Sequence, residues 1–248
     1  MKGILAALSA AILVGGFVLV PATVANAVTS GDASITFDSG TTTWTLSTAT
    51  VEKKLQLSGG SYQLTSFKNK TTSHEMIQGT GQLSDEFAIT VGSTLYTGST
   101  GSWTYDNYTT ATLAQGELEL VVTMHNSQIK VARHYIVYPS TGIIQEWTVF
   151  TNISGGALSY TEPSIFRQRI LQNEMASNTF YYMTGGGNFD GSHTLKPVSL
   201  TNSYSRTFDS RGPSETTPGG TSDPVLIEGA GAWHEWFALR NASTNGLS

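Results

Sequence analysis

The sequence predicts an all-β protein, an antiparallel sandwich or barrel, and three observations carry that prediction. Between Glu117 and Thr151 three successive segments read as strands joined by tight turns. Short β-branched and aromatic runs, separated by Gly, Asn, Ser or Asp, recur on both sides of that stretch. Only Arg167 to Ala176 has the pattern of a helix, and a short one.

In chain order, Met1-Lys2 is followed by an apolar run from Gly3 to Val20, then Pro21 and the small-residue motif Ala25-Asn26-Ala27. That order is the layout of a secretory leader with its cleavage site. Residues 1–27 are therefore expected to be removed, and the folded domain to span residues 28–248. No cysteine follows the apolar run, which excludes a lipoprotein anchor. The first expected strands are Ser34 to Phe37, Trp44 to Leu46, Val51 to Leu57, Tyr62 to Phe67 and Glu86 to Val91. Next, Leu118, Leu120, Val122 and Met124 alternate with Glu117, Glu119, Val121 and Thr123, so one face is buried. The turn His125-Asn126-Ser127-Gln128 leads into Ile129 to Tyr138, with Ile129, Val131, Tyr135 and Val137 on one face. Pro139-Ser140-Thr141-Gly142 turns the chain into Ile143 to Thr151, completing an antiparallel meander. Later expected strands are Tyr160 to Phe166, Thr179 to Met183, Val225 to Ile227 and Trp233 to Arg240, with Ser210 to Asp223 a long surface loop. Asn245-Gly246 is a hairpin signal with only two residues after it. The returning strand is thus expected to be missing, and the chain to be a fragment of a longer protein.

Composition limits the partners. The 248 residues include no cysteine, so stability must come from a packed core rather than disulfides. The net charge of −5 becomes −6 once Lys2 is lost. A mildly acidic chain does not suit nucleic acid or an anionic membrane surface. Charged residues are 12% of the chain, and the abundant hydroxyl and amide side chains are compatible with a sugar ligand.

Candidate reactive groups are few. Glu117 and Glu119 share a strand face about 7 Å apart, a separation compatible with an acid and base flanking a sugar, but they also read as solvated carboxylates. Asp85-Glu86, at a strand start, reads as exposed. No two of His74, His125, His134, His193 and His234 have metal-ligand spacing, and His234 and Glu235 are strand neighbours facing opposite ways. Gly185-Gly186-Gly187 fits neither nucleotide-binding glycine pattern and reads as a backbone turn. No nucleophile elbow is present. Neither a metal nor a cofactor is expected. Aromatic residues remain: Trp103, Tyr105 and Tyr108 in a Gly/Ser/Thr-rich stretch, and Tyr181, Tyr182 and Phe189 around the glycine run. Exposed rings with Asn188 and Asp190 nearby can hold a sugar; a wide core uses aromatics too.

Certain motifs carry a resemblance. Val137-Tyr138-Pro139, then Ile144-Gln145-Glu146-Trp147 and Thr151-Asn152, describe a strand ending in a Tyr-Pro turn and a strand ending in Asn. Arg206-Thr207-Phe208-Asp209-Ser210-Arg211-Gly212-Pro213-Ser214 precedes Asp223-Pro224, and Trp236-Phe237-Ala238-Leu239 opens a new strand. From about Phe37 onward this order resembles the amino-terminal β-supersandwich of α-galactosidases of glycoside hydrolase family 36. The resemblance implies a large two-layer antiparallel β-sandwich, galactose-mutarotase-like, incomplete at its C-terminus. It also implies a downstream catalytic (β/α)₈ barrel whose two aspartates perform retaining hydrolysis. Neither aspartate has a counterpart in this chain. The resemblance therefore implies a secreted, non-catalytic domain whose partners are an α-galactoside or related glycan, that barrel, and another copy at an oligomer interface. The family's glycine-containing segment continues to a Trp and an Arg-Glu pair, where this chain has Asn188-Phe189-Asp190. The sugar contacts expected are Trp103, Tyr105, Tyr108, Asn188 and Asp190. The alternative is a self-sufficient carbohydrate-binding or cell-surface protein.

Overall fold

Strands of alternating polarity leave one face to be covered, and in this chain two sheets cover each other. A computed structural model describes residues 26–78, 84–161, 163–184, 194–200, 237–242 and 246–247. The described residues open with a six-stranded meander of β1 (Asn26–Ser30), β2 (Ala33–Asp38), β3 (Thr43–Ser47), β4 (Val51–Ser58), β5 (Ser61–Asn69) and β6 (His74–Glu75). The hairpin of β7 (Glu86–Val91) and β8 (Thr94–Thr97) follows. The second large sheet holds β9 (Thr104–Thr112), β10 (Leu118–His125), β11 (Ile129–Val137) and β12 (Ile144–Asn152) in the spatial order β12-β11-β10-β9. The chain then returns through β13 (Ser164–Arg167), which pairs with β7. After a short 3-10 helix at Gln172–Ser177, β14 (Asn178–Thr184), β15 (Thr194–Ser199), β16 (Phe237–Asn241) and β17 (Gly246–Leu247) form a fourth sheet in the order β15-β14-β16-β17. All these pairings are antiparallel.

The core lies between the two large sheets. Leu118, Leu120, Val122 and Met124 of β10 are fully buried, as are Val131, Tyr135 and Val137 of β11. They pack with Ile35, Trp44, Leu46, Leu55, Tyr62 and Leu64 of the first sheet, while Phe87, Ile89 and Val91 of β7 close one side. Each large aliphatic side chain so removed from water contributes about 1.5–3 kcal/mol. Turns are tied across the layers: Asp32 accepts hydrogen bonds from Ala49 N at 2.9 Å and Ser140 N at 2.5 Å. Gly98 is a required glycine, because a Cβ there would sit 2.0 Å from Asp85 O and 2.2 Å from Tyr62 O.

The predicted β architecture and its central meander are therefore correct, and several expectations need correction. The Gly/Ser/Thr-rich stretch around Tyr105 is a nine-residue strand, β9, because its β-branched threonines pair along β10. The strand at the C-terminal end is not left without a return: Leu247 pairs with Arg240 and Gly246 with Asn241. The missing-strand argument for a fragment fails on that pairing. β1 takes up Asn26 and Ala27, so cleavage after Ala27 would remove its first two residues, which pair with Phe37 and Thr36. Val225 to Ile227, the loop Ser210 to Asp223, the segment Arg206 to Ser214, Gly185 to Gly187 and His234-Glu235 lie outside the described residues.

Candidate functional site

Two cations interrupt otherwise apolar strand faces, and they meet. On β4 the inward residues are Val51, Lys53, Leu55 and Leu57, and on β11 they are Ile129, Val131, Arg133, Tyr135 and Val137. Lys53 is 1% exposed and Arg133 is 0% exposed. A buried charge must be paired, and the partners come from two further strands. Glu86 opens β7 and is fully buried; Glu146 lies on β12, directly opposite Tyr135. Lys53 Nζ lies 2.9 Å from Glu146 Oε2 and 3.1 Å from Glu86 Oε2. Arg133 donates to Glu86 Oε2 at 3.0 Å, to Glu146 Oε2 at 2.6 Å and to Thr148 Oγ1 at 2.6 Å.

Two tyrosines join the network, as does Gln168, whose Nε2 donates to Glu86 Oε1 at 3.2 Å. Tyr135 donates its only hydroxyl hydrogen to Glu86 Oε2 at 2.9 Å and accepts from Arg133 Nε at 3.1 Å. The hydroxyl of Tyr62, 3.0 Å from that of Tyr135, must therefore be the donor between them. Burial pushes both phenols above their ordinary range. For Glu86, burial acts upward, but Lys53 and Arg133 beside it outweigh burial and hold the carboxyl below its usual 4.5. For Glu146, burial and the neighbouring Glu86 prevail over the same two cations, so its carboxyl stands above 4.5. Glu86 adopts φ +63° in a tight turn where Phe87 N bonds Asp85 O at 2.7 Å. That turn is of the rare, strained kind. The side chain that follows from this turn is fully buried.

Asp85 and Glu86 are thus not the exposed pair the sequence suggested, since they are 5% and 0% exposed. The Glu86–Glu146 pair encloses a lysine rather than a space for substrate. Its two positive and two negative charges balance, and its geometry is that of a buried structural network. Glu117 and Glu119 are half-exposed, as read from the alternation.

The aromatic expectations divide. Trp103 is a correction: it is 3% exposed, packs against Phe87 and Tyr96, and donates Nε1–H to Thr97 O at 2.9 Å. It is a core residue with no face to offer a sugar. Tyr105 is 37% exposed, and its ring stands 5.8 Å from that of Trp44. Tyr108 is half-buried, 4.6 Å from Phe37. Three residues apart, these tyrosines would point to opposite faces of a regular strand. A bulge at Asp106 brings them to the same face, opposite Met124 and Val122. Asn188 and Asp190 lie outside the described residues.

Two surface features emerge that the sequence reading did not single out. On the outer face of the second sheet, Trp147 of β12 lies directly across from His134 of β11. Their rings stack 4.6 Å apart at 12°. Glu119 Oε1 is 3.2 Å from His134 Nδ1. β12 is the outermost strand of its sheet among the described residues, and Trp147 is half-buried there. Val149 and Ile143, 44% and 59% exposed, flank this platform. At the end of the same sheet, His125 Nδ1 is 2.5 Å from Asp106 Oδ1, beside a polar cleft of about 320 Å³. Period-two counting places Trp147 outward; what it lacks is any sign that His134 stands beside it.

Among the described residues no group of three or more His, Asp or Glu could hold a metal ion, and no helix is long and apolar enough to cross a membrane. Comparison of the sequence with known protein families and with curated proteins finds no match to either.

Proposed function

We propose that this chain is the non-catalytic β-sandwich part of an exported α-galactosidase-like glycoside hydrolase, and that the outer face of its β11–β12 hairpin contacts the sugar. One observation carries this reading. The segment with the family-like pattern, Val137-Tyr138-Pro139 through Trp147 to Asn152, folds as one hairpin and presents the Trp147–His134 platform. An indole face stacks on the C–H face of a pyranose, while a neighbouring carboxylate and amide bond its hydroxyls. Glu119 and Gln145 stand beside the platform in those roles, Gln145 already accepting from Tyr138 Oη at 2.7 Å. The acids that come together inside the sandwich, Glu86 and Glu146, are held by Lys53 and Arg133, which supports a positioning part rather than a reacting one.

The test is tryptophan fluorescence titrated with melibiose, for the native sequence and Trp147→Ala. A saturable change lost in the variant is expected. No change up to about 100 mM sugar, which leaves affinities weaker than about −1.4 kcal/mol, overturns the reading. Release of the aryl group from an aryl α-galactoside by this chain alone overturns its non-catalytic half. The second reading, a self-sufficient carbohydrate-binding module, is favoured by a platform built wholly from this chain. A micromolar dissociation constant supports the module; a millimolar one supports a part that shares its sugar with a downstream barrel.

A further inference from the structure

A polar cleft lies beside His125, and nothing in the platform reading requires it. Its two rims are Gly101–Thr104, entering β9, and His125–Ser127, joining β10 to β11. The rims are fixed before any ligand arrives. Asn126 Nδ2 donates across the cleft to Gly101 O at 3.2 Å, while Asn126 Oδ1 accepts from Gln128 N at 2.9 Å and Ile129 N at 3.0 Å. Trp103 lies beneath, its backbone N bonded to Gly60 O at 2.8 Å. Gly101 has no room for a Cβ, which would lie 2.0 Å from the Trp103 ring. Ser102 is held at φ +51°, a left-handed conformation that costs a non-glycine residue on the order of 1–2 kcal/mol. Strain of that kind, maintained on the rim of a cavity, is a pointer to function.

The chemistry of the lining selects the ligand. The bulge in β9 makes Asp106 the extra residue opposite β10, and so turns its carboxylate onto His125 Nδ1 at 2.5 Å. In the neutral ring, a carboxylate on Nδ1 holds the proton there and leaves Nε2 as an acceptor. His125 Nε2 has no partner among the described residues, and neither do the hydroxyls of Ser102, Thr104 and Ser127. Tyr96 adds an aromatic wall, its own hydroxyl committed to Gln128 Oε1 at 2.9 Å. Among the described residues no lysine or arginine lines the cleft, so these offer no such cation to a phosphate or carboxylate. Three hydroxyls that both donate and accept, one imidazole acceptor and one ring suit a neutral polyhydroxylated molecule. The volume, about 320 Å³, is at the small end for ligand pockets and fits a single sugar ring rather than a chain.

We propose that the cleft between Gly101–Thr104 and His125–Ser127 is a second binding site, for one neutral pyranose or cyclic polyol, with His125 Nε2 accepting from a ligand hydroxyl. Asp106 acts through His125 and is a positioning residue.

The experiment is nuclear magnetic resonance of the full chain titrated with methyl α-D-galactopyranoside and, separately, myo-inositol. The expected result is saturable movement of the His125 ring signals and the Ser102 and Ser127 amides with at least one of the two. His125→Ala should weaken this about tenfold, a loss of about 1.4 kcal/mol. Asp106→Asn should weaken it several-fold with the amide spectrum otherwise preserved. Trp147→Ala should leave it unchanged, which separates this site from the platform. If His125→Ala folds poorly, Ser127→Val, at an exposed turn position, replaces it with the same expected loss. Silence of the cleft signals with both ligands at about 100 mM overturns the proposal, as does binding there that is indifferent to His125 or Ser127.

Discussion

Replacing Arg133 with methionine keeps much of the side chain's length and removes one of the two cations that neutralise Glu86 and Glu146. In the native chain the guanidinium is fully buried and bonds Glu86, Glu146, Thr148 and Tyr135. Lys53 alone would then face two carboxylates, leaving one buried negative charge uncompensated. Removing one partner of a buried ionic cluster costs about 3–5 kcal/mol. For a chain of this length that lowers the melting temperature by roughly 6–20 °C, taking about 2–4 °C per kcal/mol. The assay is urea unfolding followed by tryptophan fluorescence, read as a lower midpoint with an unchanged slope. The double variant Arg133→Met with Glu146→Gln restores the balance, leaving Lys53 paired with Glu86. It should be more stable than Arg133→Met alone, although two residues have been altered. An Arg133→Met loss below about 1 kcal/mol, or a double variant as unstable as the sum of the singles, would refute the charge-balance argument.

The same cluster predicts the acid limb of stability. The lowered carboxyl of Glu86 contributes stability that is present above its unfolded value of 4.5 and lost as pH falls through its folded value. The raised carboxyl of Glu146 has the opposite sign, its contribution fading as pH rises from 4.5 through the folded value. Glu146→Gln removes that opposing slope, so between pH 6 and pH 3.5 the variant should lose more stability, relative to its own neutral value, than the native chain; urea midpoints at several pH values check this. Trp103→Ala should cost about 3–5 kcal/mol as a core truncation, whereas Tyr105→Ala, at a partly exposed ring, should cost about 1 kcal/mol; equal effects would contradict their placement. Gly98→Ala should cost about 3 kcal/mol, because the added methyl meets backbone oxygens that cannot step aside; thermal melting measures it.

Much of the central sheet is readable residue by residue. Leu118, Leu120, Val122 and Met124 alternate cleanly, and all four are buried. The same alternation held a clue to the ionic cluster. Arg133 occupies the inward position between Val131 and Tyr135, as Lys53 does between Val51 and Leu55, and a cation in that place needs a buried partner. What period-two counting cannot supply is the partner. Glu86 lies 47 positions from Arg133, and local sequence marks it only as a residue at a strand start. Trp103 and Tyr105 look alike as aromatics in a polar stretch; one is buried under Phe87 and Tyr96, the other borders solvent.

The amino-acid sequence by itself determined the antiparallel β character, the position of the central meander and which face of β10 and β11 is inward, because side-chain alternation is a property of the extended backbone alone. The tertiary structure decided that Lys53, Glu86, Arg133 and Glu146 form one neutral cluster, that Trp147 stacks on His134, and that a bulge turns Asp106 onto His125. Those outcomes depend on the register between strands, and a shift of one residue would send each of these side chains to the opposite face.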